Sequence, residues 1–315
     1  MKAGQRPTDA AMSHQASSLL SLVGQTPLLP LQRITAGLSP RVRLYAKAEW
    51  FNPGGSVKDR PAAAILEEAL QRGAFEGGKA LLDSTSGNMG IAYATLGAAL
   101  GLRVCLAIPA NASRERLQIL QALGAQVTLT DPTEGSEGAR LVAAQMADDH
   151  PDDYAYLDQY SNAANWRAHY RTTGPEVLAQ TGGQVTHFVA GLGTTGTMTG
   201  TGRYLKEHAP GVRRVAVQPD GPMHGLEGLK HLPTTQAPAI YDPTIPDEIQ
   251  IVQTEEAYAM ARRLAREEGL LAGVSSAAAT VAALTVARSL EEGAIVVLFP
   301  DSGLKYLGAE FWTSG

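Results

Sequence analysis

The chain has 315 residues, 44% of them hydrophobic and 18% charged, enough to bury a large core in one large or two moderate domains. Twenty-six Lys+Arg against 31 Asp+Glu leave a net charge of −5, and no basic run is interleaved with aromatics, so neither nucleic acid nor a membrane is an expected partner. The single cysteine, Cys105, excludes a disulfide within the chain and fits a reducing compartment.

Residues 1–15 are polar and lack the apolar stretch of a signal peptide, so they are expected to form a flexible arm on a cytoplasmic protein. Beyond them, short apolar runs alternate with longer amphipathic segments. In chain order the pattern predicts a strand at 43–48, a helix at 61–72, a strand at 80–84, a helix at 89–100, a strand at 103–109 and a helix at 114–123. It continues with a strand at 126–130, helices at 138–148 and 165–179, a strand at 186–190, a helix at 196–208, a strand at 213–218, helices at 254–268 and 276–290, and a last strand at 294–299. Gly73, Gly101 and Gly124 suit the left-handed position just past a helix end. Cys105 falls inside an apolar strand and reads as a small core residue. Such alternation demands right-handed crossovers and mainly parallel sheets covered on both faces, a doubly wound α/β fold. The stretch 220–247 carries five prolines and no periodicity, so it is expected to cover or border the functional site.

In open parallel sheets, ligands bind outside the carboxyl ends of the strands, where loops lead into helix N-termini. The segment Asn52-Pro53-Gly54-Gly55-Ser56-Val57-Lys58-Asp59-Arg60 places one of only seven lysines after a Pro/Gly-rich turn at the mouth of a helix. Lys58 there suits a covalent anchor for an aldehyde cofactor such as pyridoxal phosphate, although a lysine opening a surface helix has the same local look. The loop Ser84-Thr85-Ser86-Gly87-Asn88 offers hydroxyls and helical N–H groups to a carboxylate or phosphate, or is an ordinary N-cap. In Gly191-Leu192-Gly193-Thr194-Thr195-Gly196-Thr197, glycines permit close approach, and threonine hydroxyls with the helix dipole suit a phosphate dianion. Gly191, Gly193 and Gly196 also satisfy the G-x-G-x-x-G spacing of dinucleotide sites, but the threonine density favours a terminal phosphate and Asp220 stands in a Pro-Asp-Gly-Pro turn. In Phe299-Pro300-Asp301-Ser302-Gly303, Ser302 suits a neutral pyridine nitrogen, with Asp301 as the competing partner. A neutral ring is the weaker electron sink and suits loss of a β-substituent better than transamination.

Together these four motifs resemble the cysteine synthase and cystathionine β-synthase family of fold-type II, tryptophan synthase β-like pyridoxal-phosphate enzymes. The resemblance runs from Gly24-Gln25-Thr26-Pro27-Leu28 to Lys305-Tyr306-Leu307, in the family's order. It implies two doubly wound domains with the cofactor in the cleft: a small mobile domain at 51–163 and a large one from 16–50 and 164–315. It implies Lys58 as anchor, Asn88 on the cofactor's 3′-oxygen, Gly193, Thr194, Thr195, Gly196 and Thr197 around the phosphate, and Ser302 on the ring nitrogen. Thr85, Ser86, Gly87, Met89 and Gln159 fall where the family binds the substrate α-carboxylate. A homodimer without a metal is implied as well. Three positions depart from the common pattern. Met89 replaces a threonine, Ser275-Ser276-Ala277 replaces Ser-Ser-Gly or Ser-Thr-Gly, and Thr195 replaces a glycine, a change that a negative φ would tolerate.

The implied reaction is a ping-pong β-replacement by a transferase. An O-activated L-serine, O-acetylserine or O-phosphoserine, displaces Lys58, whose amine removes the α-proton; the β-substituent leaves, and sulfide or thiosulfate adds to give L-cysteine. Lys230, in Leu226-Glu227-Gly228-Leu229-Lys230-His231-Leu232-Pro233, resembles the position where B-type cysteine synthases carry a cation for an anionic leaving group or sulfur donor; a solvated lysine is the alternative. Rival readings are a cystathionine β-synthase, a dehydratase-type lyase, a β-replacement with a nitrogen nucleophile, and a catalytically silent binding protein on the same fold.

Overall fold

The apolar runs pair into two mainly parallel sheets, as the two doubly wound domains implied above require. The computed structural model describes residues 19–85 and 87–313, so the arm expected at 1–15 and the side chain of Ser86 lie outside the described residues. In chain order the strands are β1 (Leu28–Leu31), β2 (Arg41–Ala48), β3 (Ala80–Ser84), β4 (Val104–Pro109), β5 (Gln126–Thr130), β6 (Tyr154–Tyr156), β7 (His187–Gly191), β8 (Arg213–Pro219), β9 (Glu248–Val252) and β10 (Glu292–Phe299). The helices are α1 (Asp59–Gln71), α2 (Asn88–Ala99), α3 (Arg114–Ala122), α4 (Gly135–Asp149), α5 (Ala164–Arg171), α6 (Thr173–Gln180), α7 (Gly196–His208), α8 (Thr254–Arg263) and α9 (Val274–Ala287).

The six-stranded sheet runs β1-β2-β10-β7-β8-β9 and the four-stranded sheet β5-β4-β3-β6; every pairing is parallel except β1 with β2. Each sheet is covered on both faces, as the doubly wound reading requires. On the larger one, α8 and α9 bury Met260, Ala261, Ala278 and Leu284 on one side, while Val177, Met198 and Leu205 from α6 and α7 pack on the other. Leu66, Tyr93, Leu96 and Leu120 from α1, α2 and α3 fill one face of the smaller sheet, with Ala139 and Ala143 of α4 on the opposite face. Leu19, Leu20 and Val23 also pack against this smaller sheet's core.

Three strands escaped the sequence reading, β1, β6 and β9, and all three are sheet edges. β1 contains Pro30, which an edge tolerates; β6 has three half-buried residues; β9 alternates Glu248, Ile249, Gln250, Ile251 with the isoleucines outward. The helix expected at 165–179 breaks at Thr172, and the one at 254–268 ends in a wide turn, Leu264–Glu268, before Gly269 at φ +69°. Gly73, Gly101 and Gly124 take φ of +70°, +70° and +77°, as their positions after helix ends require.

The two halves are joined by a buried ionic network. Arg60, in the first turn of α1, donates to Glu49 through Nε at 2.7 Å and to Glu176 of α6 through Nη1 at 2.6 Å. Lys47 of β2 reaches Glu176 at 2.6 Å, and the Thr26 hydroxyl and Asn52 amide complete the shell of Glu49. Burial pushes the Glu176 carboxyl up, but the hydrogen bonds and charge of Arg60, followed by those of Lys47, win and hold it at about 2, against an ordinary value of 4.5. A carboxylate depressed in the folded state stabilises above its unfolded pKa and loses that stabilisation as pH falls towards the folded one, here a term of about 3 kcal/mol. The urea midpoint should therefore drop between pH 5 and pH 3 by more in the wild-type protein than in Glu176→Gln; equal pH dependences would remove Glu176 from the network's energetics.

Candidate active site

Both sheets present the same topological feature. From β3 the chain continues to β4 and β5 on one side while β6 lies on the other; from β7 it continues to β8 and β9 while β10 lies on the other. The loops leaving β3 and β7 therefore open at the two points where strand order reverses, which is where an open α/β sheet has its ligand crevice. These loops face one another across a single cleft, lined by Lys58, Thr85, Gly87, Asn88, Met89, Gln159, Gly193, Thr194, Thr195, Thr197 and Lys230 among others. The four motifs read from the sequence thus converge, with one exception, Ser302.

Lys58 immediately precedes α1. Its loop is folded by Asp59, whose carboxylate accepts the N–H groups of Gly54 at 2.6 Å and Ser56 at 3.1 Å, and is stitched to the end of β10 by Val57 N–H to Pro300 O at 2.8 Å. Burial pushes the Lys58 ammonium down to about 8 from 10.5, with Asp301 pulling it the other way. A fixed lysine that readily gives up its proton is what a carbonyl-capturing nucleophile needs.

On the smaller sheet, the Thr85 hydroxyl accepts from Gly87 N–H at 3.0 Å and Gly90 N–H at 3.1 Å, which leaves its own proton to donate. Gln159 is fixed beside it, donating from Nε2 to Ser84 O at 2.7 Å and from its backbone N–H to Asp83 at 3.2 Å. Asp83 is fully buried and burial pushes its carboxyl up to about 7. Met89 is buried with the N-terminus of α2 behind it.

On the larger sheet, α5 and α7 approach closely because Gly196 and Gly200 lack side chains: a Cβ at Gly196 would strike the Asn165 amide, and one at Gly200 the Trp166 carbonyl. The approach brings Asn165 Nδ2 to 3.4 Å from Thr194 Oγ1 and His169 Nε2 to 3.3 Å from Thr197 Oγ1. Burial, with the charges of Arg60 and Lys58, holds His169 neutral. Thr195 takes φ +70°, ψ −10°, so the negative φ that would have made it an easy replacement for glycine is not what the loop adopts. A left-handed non-glycine residue costs about 1–2 kcal/mol and persists where surroundings dictate it. The Thr195 hydroxyl is buried and finds no partner within the protein. An orphaned hydroxyl in a glycine-lined cradle at a helix N-terminus fits an absent phosphate.

Ser302 does not line the cleft. In the extended backbone after β10, alternate residues face opposite ways: Asp301 turns inward and bridges to Ser56, while Ser302 bridges to Ala272 and borders a separate hollow with Trp50, Ile119 and Leu304. Ser275, the second residue of α9, lines the cleft instead. Its signal lay in Gly273-Val274-Ser275-Ser276-Ala277, where two hydroxyls open an apolar helix. Lys230 lies in the cleft with Nζ 3.2 Å from Ser136 Oγ and 4.9 Å above the Tyr160 ring. The sequence also concealed Arg116 of α3. Its buried guanidinium packs against Gly87, lies 5.3 Å from the Tyr306 ring centre, and forms an ion pair with Glu227 of the proline-rich stretch. Asp220, the alternative ribose contact, is exposed on the surface, which removes the support for a dinucleotide.

A neutralisable lysine between two opposed helix N-termini describes a fold-type II pyridoxal-phosphate site. The chain matches the family described as "Pyridoxal-phosphate dependent enzyme" over residues 19–301, and it belongs to that family. It is 50% identical over 295 residues to the cysteine synthase of Aquifex aeolicus, covering 92% of this chain and 90% of that protein. It is 42% identical to cysteine synthase B of Pseudomonas aeruginosa over 300 residues, 95% of this chain and 98% of that one. The crystal structure of cysteine synthase from Entamoeba histolytica superposes with a TM-score of 0.89 at 32% identity, over 100% of this chain and 95% of that chain.

Uptake of pyridoxal phosphate by the apoprotein should accelerate with pH around a midpoint near 8, and Asp301→Asn, which removes the anion favouring the charged lysine, should lower that midpoint. A midpoint near the ordinary 10.5 would make Lys58 an unperturbed lysine.

Proposed function

We propose that this protein makes L-cysteine by β-replacement on an O-activated L-serine with a sulfur donor. The observation that carries the reading is the cleft itself, in which Lys58 stands between a phosphate cradle on one sheet and a carboxylate loop on the other. The cysteine synthases to which the chain is similar over nearly its whole length support the choice of reaction.

Gly193, Thr194, Thr195, Gly196 and Thr197 would hold the cofactor's phosphate, Lys58 its aldehyde carbon and Asn88 its ring oxygen. For the ring nitrogen we assign Ser275 in place of Ser302, since Ser275 borders the cleft and Ser302 does not. Bound in this way, the cofactor supplies the electron sink that loosens the substrate's α-proton. The protein does the rest. The substrate α-carboxylate binds at the N-terminus of α2, to the Thr85 hydroxyl, Ser86, the N–H groups around Gly87 and Met89, and Gln159. Lys58, able to be neutral near pH 8, takes the proton from Cα and holds it on Nζ. The β-substituent leaves towards the mouth of the cleft, where Lys230 and Arg116 offer positive charge, and the sulfur nucleophile enters by the same route. Closure of the small domain, 51–163, would exclude water during these steps. Among the described residues no helix is long and apolar enough to cross a membrane. We place the enzyme in the cytoplasm as a homodimer, a reading supported by its lone buried cysteine and by family resemblance.

Mixing the holoenzyme with O-acetylserine, and separately with O-phosphoserine, should shift its visible absorbance band, and sulfide or thiosulfate should restore it with release of cysteine. A band that moves with neither serine would overturn the assignment in favour of a silent binding protein. Lys230→Ala should reduce kcat/KM for O-phosphoserine or thiosulfate about tenfold, the size of a charge-assisted contact, and leave O-acetylserine with sulfide unchanged. Equal kinetics with all four would make Lys230 a bystander.

A further inference from the structure

The Asn88 side chain is held by two residues of the C-terminal turn in a way that fixes which of its atoms is which. Lys305 Nζ lies 2.8 Å from Asn88 Oδ1, 3.1 Å from Gly55 O and 3.3 Å from Gly54 O. An ammonium has three N–H groups and no acceptor, and here three acceptors surround it. The atom of Asn88 that faces it must therefore be the carbonyl oxygen. On the other side, Asn88 Nδ2 lies 2.7 Å from Asp301 Oδ2, which also receives the Tyr306 hydroxyl at 2.8 Å. Turning the amide over would set its NH2 against an ammonium and its oxygen against a carboxylate. Such a flip opposes like-signed partial charges at both ends of a half-buried group. Asn88 Nδ2 keeps a second N–H to donate, while the lone pair left on Oδ1 belongs to the atom turned towards the ammonium, so the amide offers its donor to a group in the cleft.

We propose that Lys305 and Asp301 are positioning residues that lock Asn88 as a hydrogen-bond donor, so that the cleft favours an ionised oxygen on the cofactor ring over a hydroxyl. The second observation is the reach of Lys305: its two backbone acceptors, Gly54 and Gly55, belong to the loop that ends in Lys58. One side chain thus sets the distance between the anchor loop and the residue facing the ring oxygen. Asp301 in turn bridges to Ser56 of that loop, and its Oδ1 is buried without a partner, so this carboxylate does not owe its place to saturating its own hydrogen bonds. Burial lowers the Lys305 ammonium's pKa below its ordinary value, with the carboxylates of Asp301 and Asp59 opposing that shift and the charge of Arg116 adding to it.

The inference rests on Asn88 meeting the cofactor's ring oxygen as assigned above, and the experiment separates the two. Asn88→Ala, Lys305→Met and Lys305→Arg are each loaded with pyridoxal phosphate, and the cofactor's dissociation constant and the pH titration of its visible band are recorded, with the melting temperature of each apoprotein. A hydrogen bond to the ionised form favours that form. Lys305→Met should therefore move the band's titration midpoint upward and weaken cofactor binding about tenfold, the loss expected of one charge-assisted contact, and Lys305→Arg should recover most of both. If Asn88→Ala leaves the titration unchanged, the ring-oxygen assignment of Asn88 falls, and this proposal with it. If Asn88→Ala moves the midpoint but Lys305→Met only lowers the apoprotein's melting temperature, Lys305 is structural and the proposal alone is overturned.

Discussion

Everything in the cleft depends on Arg60 sitting buried between two carboxylates. Its guanidinium touches Glu49, just after β2, and Glu176 on α6, while its own helix packs into the core of the other sheet. Removing one partner from such a cluster leaves an uncompensated buried charge, which costs far more than a surface ion pair yields. The network therefore defines where α1 can start, and Lys58 is two residues upstream of Arg60. The same guanidinium helps keep His169 neutral, and His169 touches Thr197 of the threonine loop proposed to hold the phosphate. One buried charge cluster thus borders both Lys58 and the threonine loop opposite it.

Much of this was legible in the sequence because the signals were local. Central strands such as β3, β4, β7 and β8 are buried on both faces, so they read as continuous apolar runs, and glycine punctuation marks where helices end. The edge strands were not legible, since half-exposed backbone tolerates Pro30 and the alternation of β9 carries little hydrophobic signal. Chemistry followed the same division. Lys58, Asn88 and the threonine loop announce themselves by neighbours in sequence, whereas Arg116, Glu49 and Glu176 become meaningful only when distant segments meet. Ser302 shows the limit of motif reasoning: it follows β10 as expected, but it bridges to Ala272 and borders a different hollow, a facing that no spacing reveals. Thr195 shows another limit, because a composition argument could name the residue but not the sign of its φ.

The charges at the cleft mouth divide between the two sheets. Arg116 reaches in from α3, while Glu227 and Lys230 come from the proline-rich stretch after β8. Pro222, Pro233, Pro238, Pro243 and Pro246 limit the conformations this long irregular segment loses on folding, which explains how it can stay ordered enough to place them. Glu227 tempers the field of Arg116 that an incoming anion meets.

Two of the segments that run between the sheets, 49–58 and 157–163, carry Lys58 and Gln159 respectively. The residues proposed to bind and react with the substrate therefore lie on the connecting straps of the molecule. Any rotation of one sheet against the other would move these straps together with the Arg60 network that ties the halves. In such a build, shape and reactivity are a single variable: a substitution that stiffens the connection alters the chemistry, and a ligand that engages the lysine and the glutamine together resets the angle between the halves.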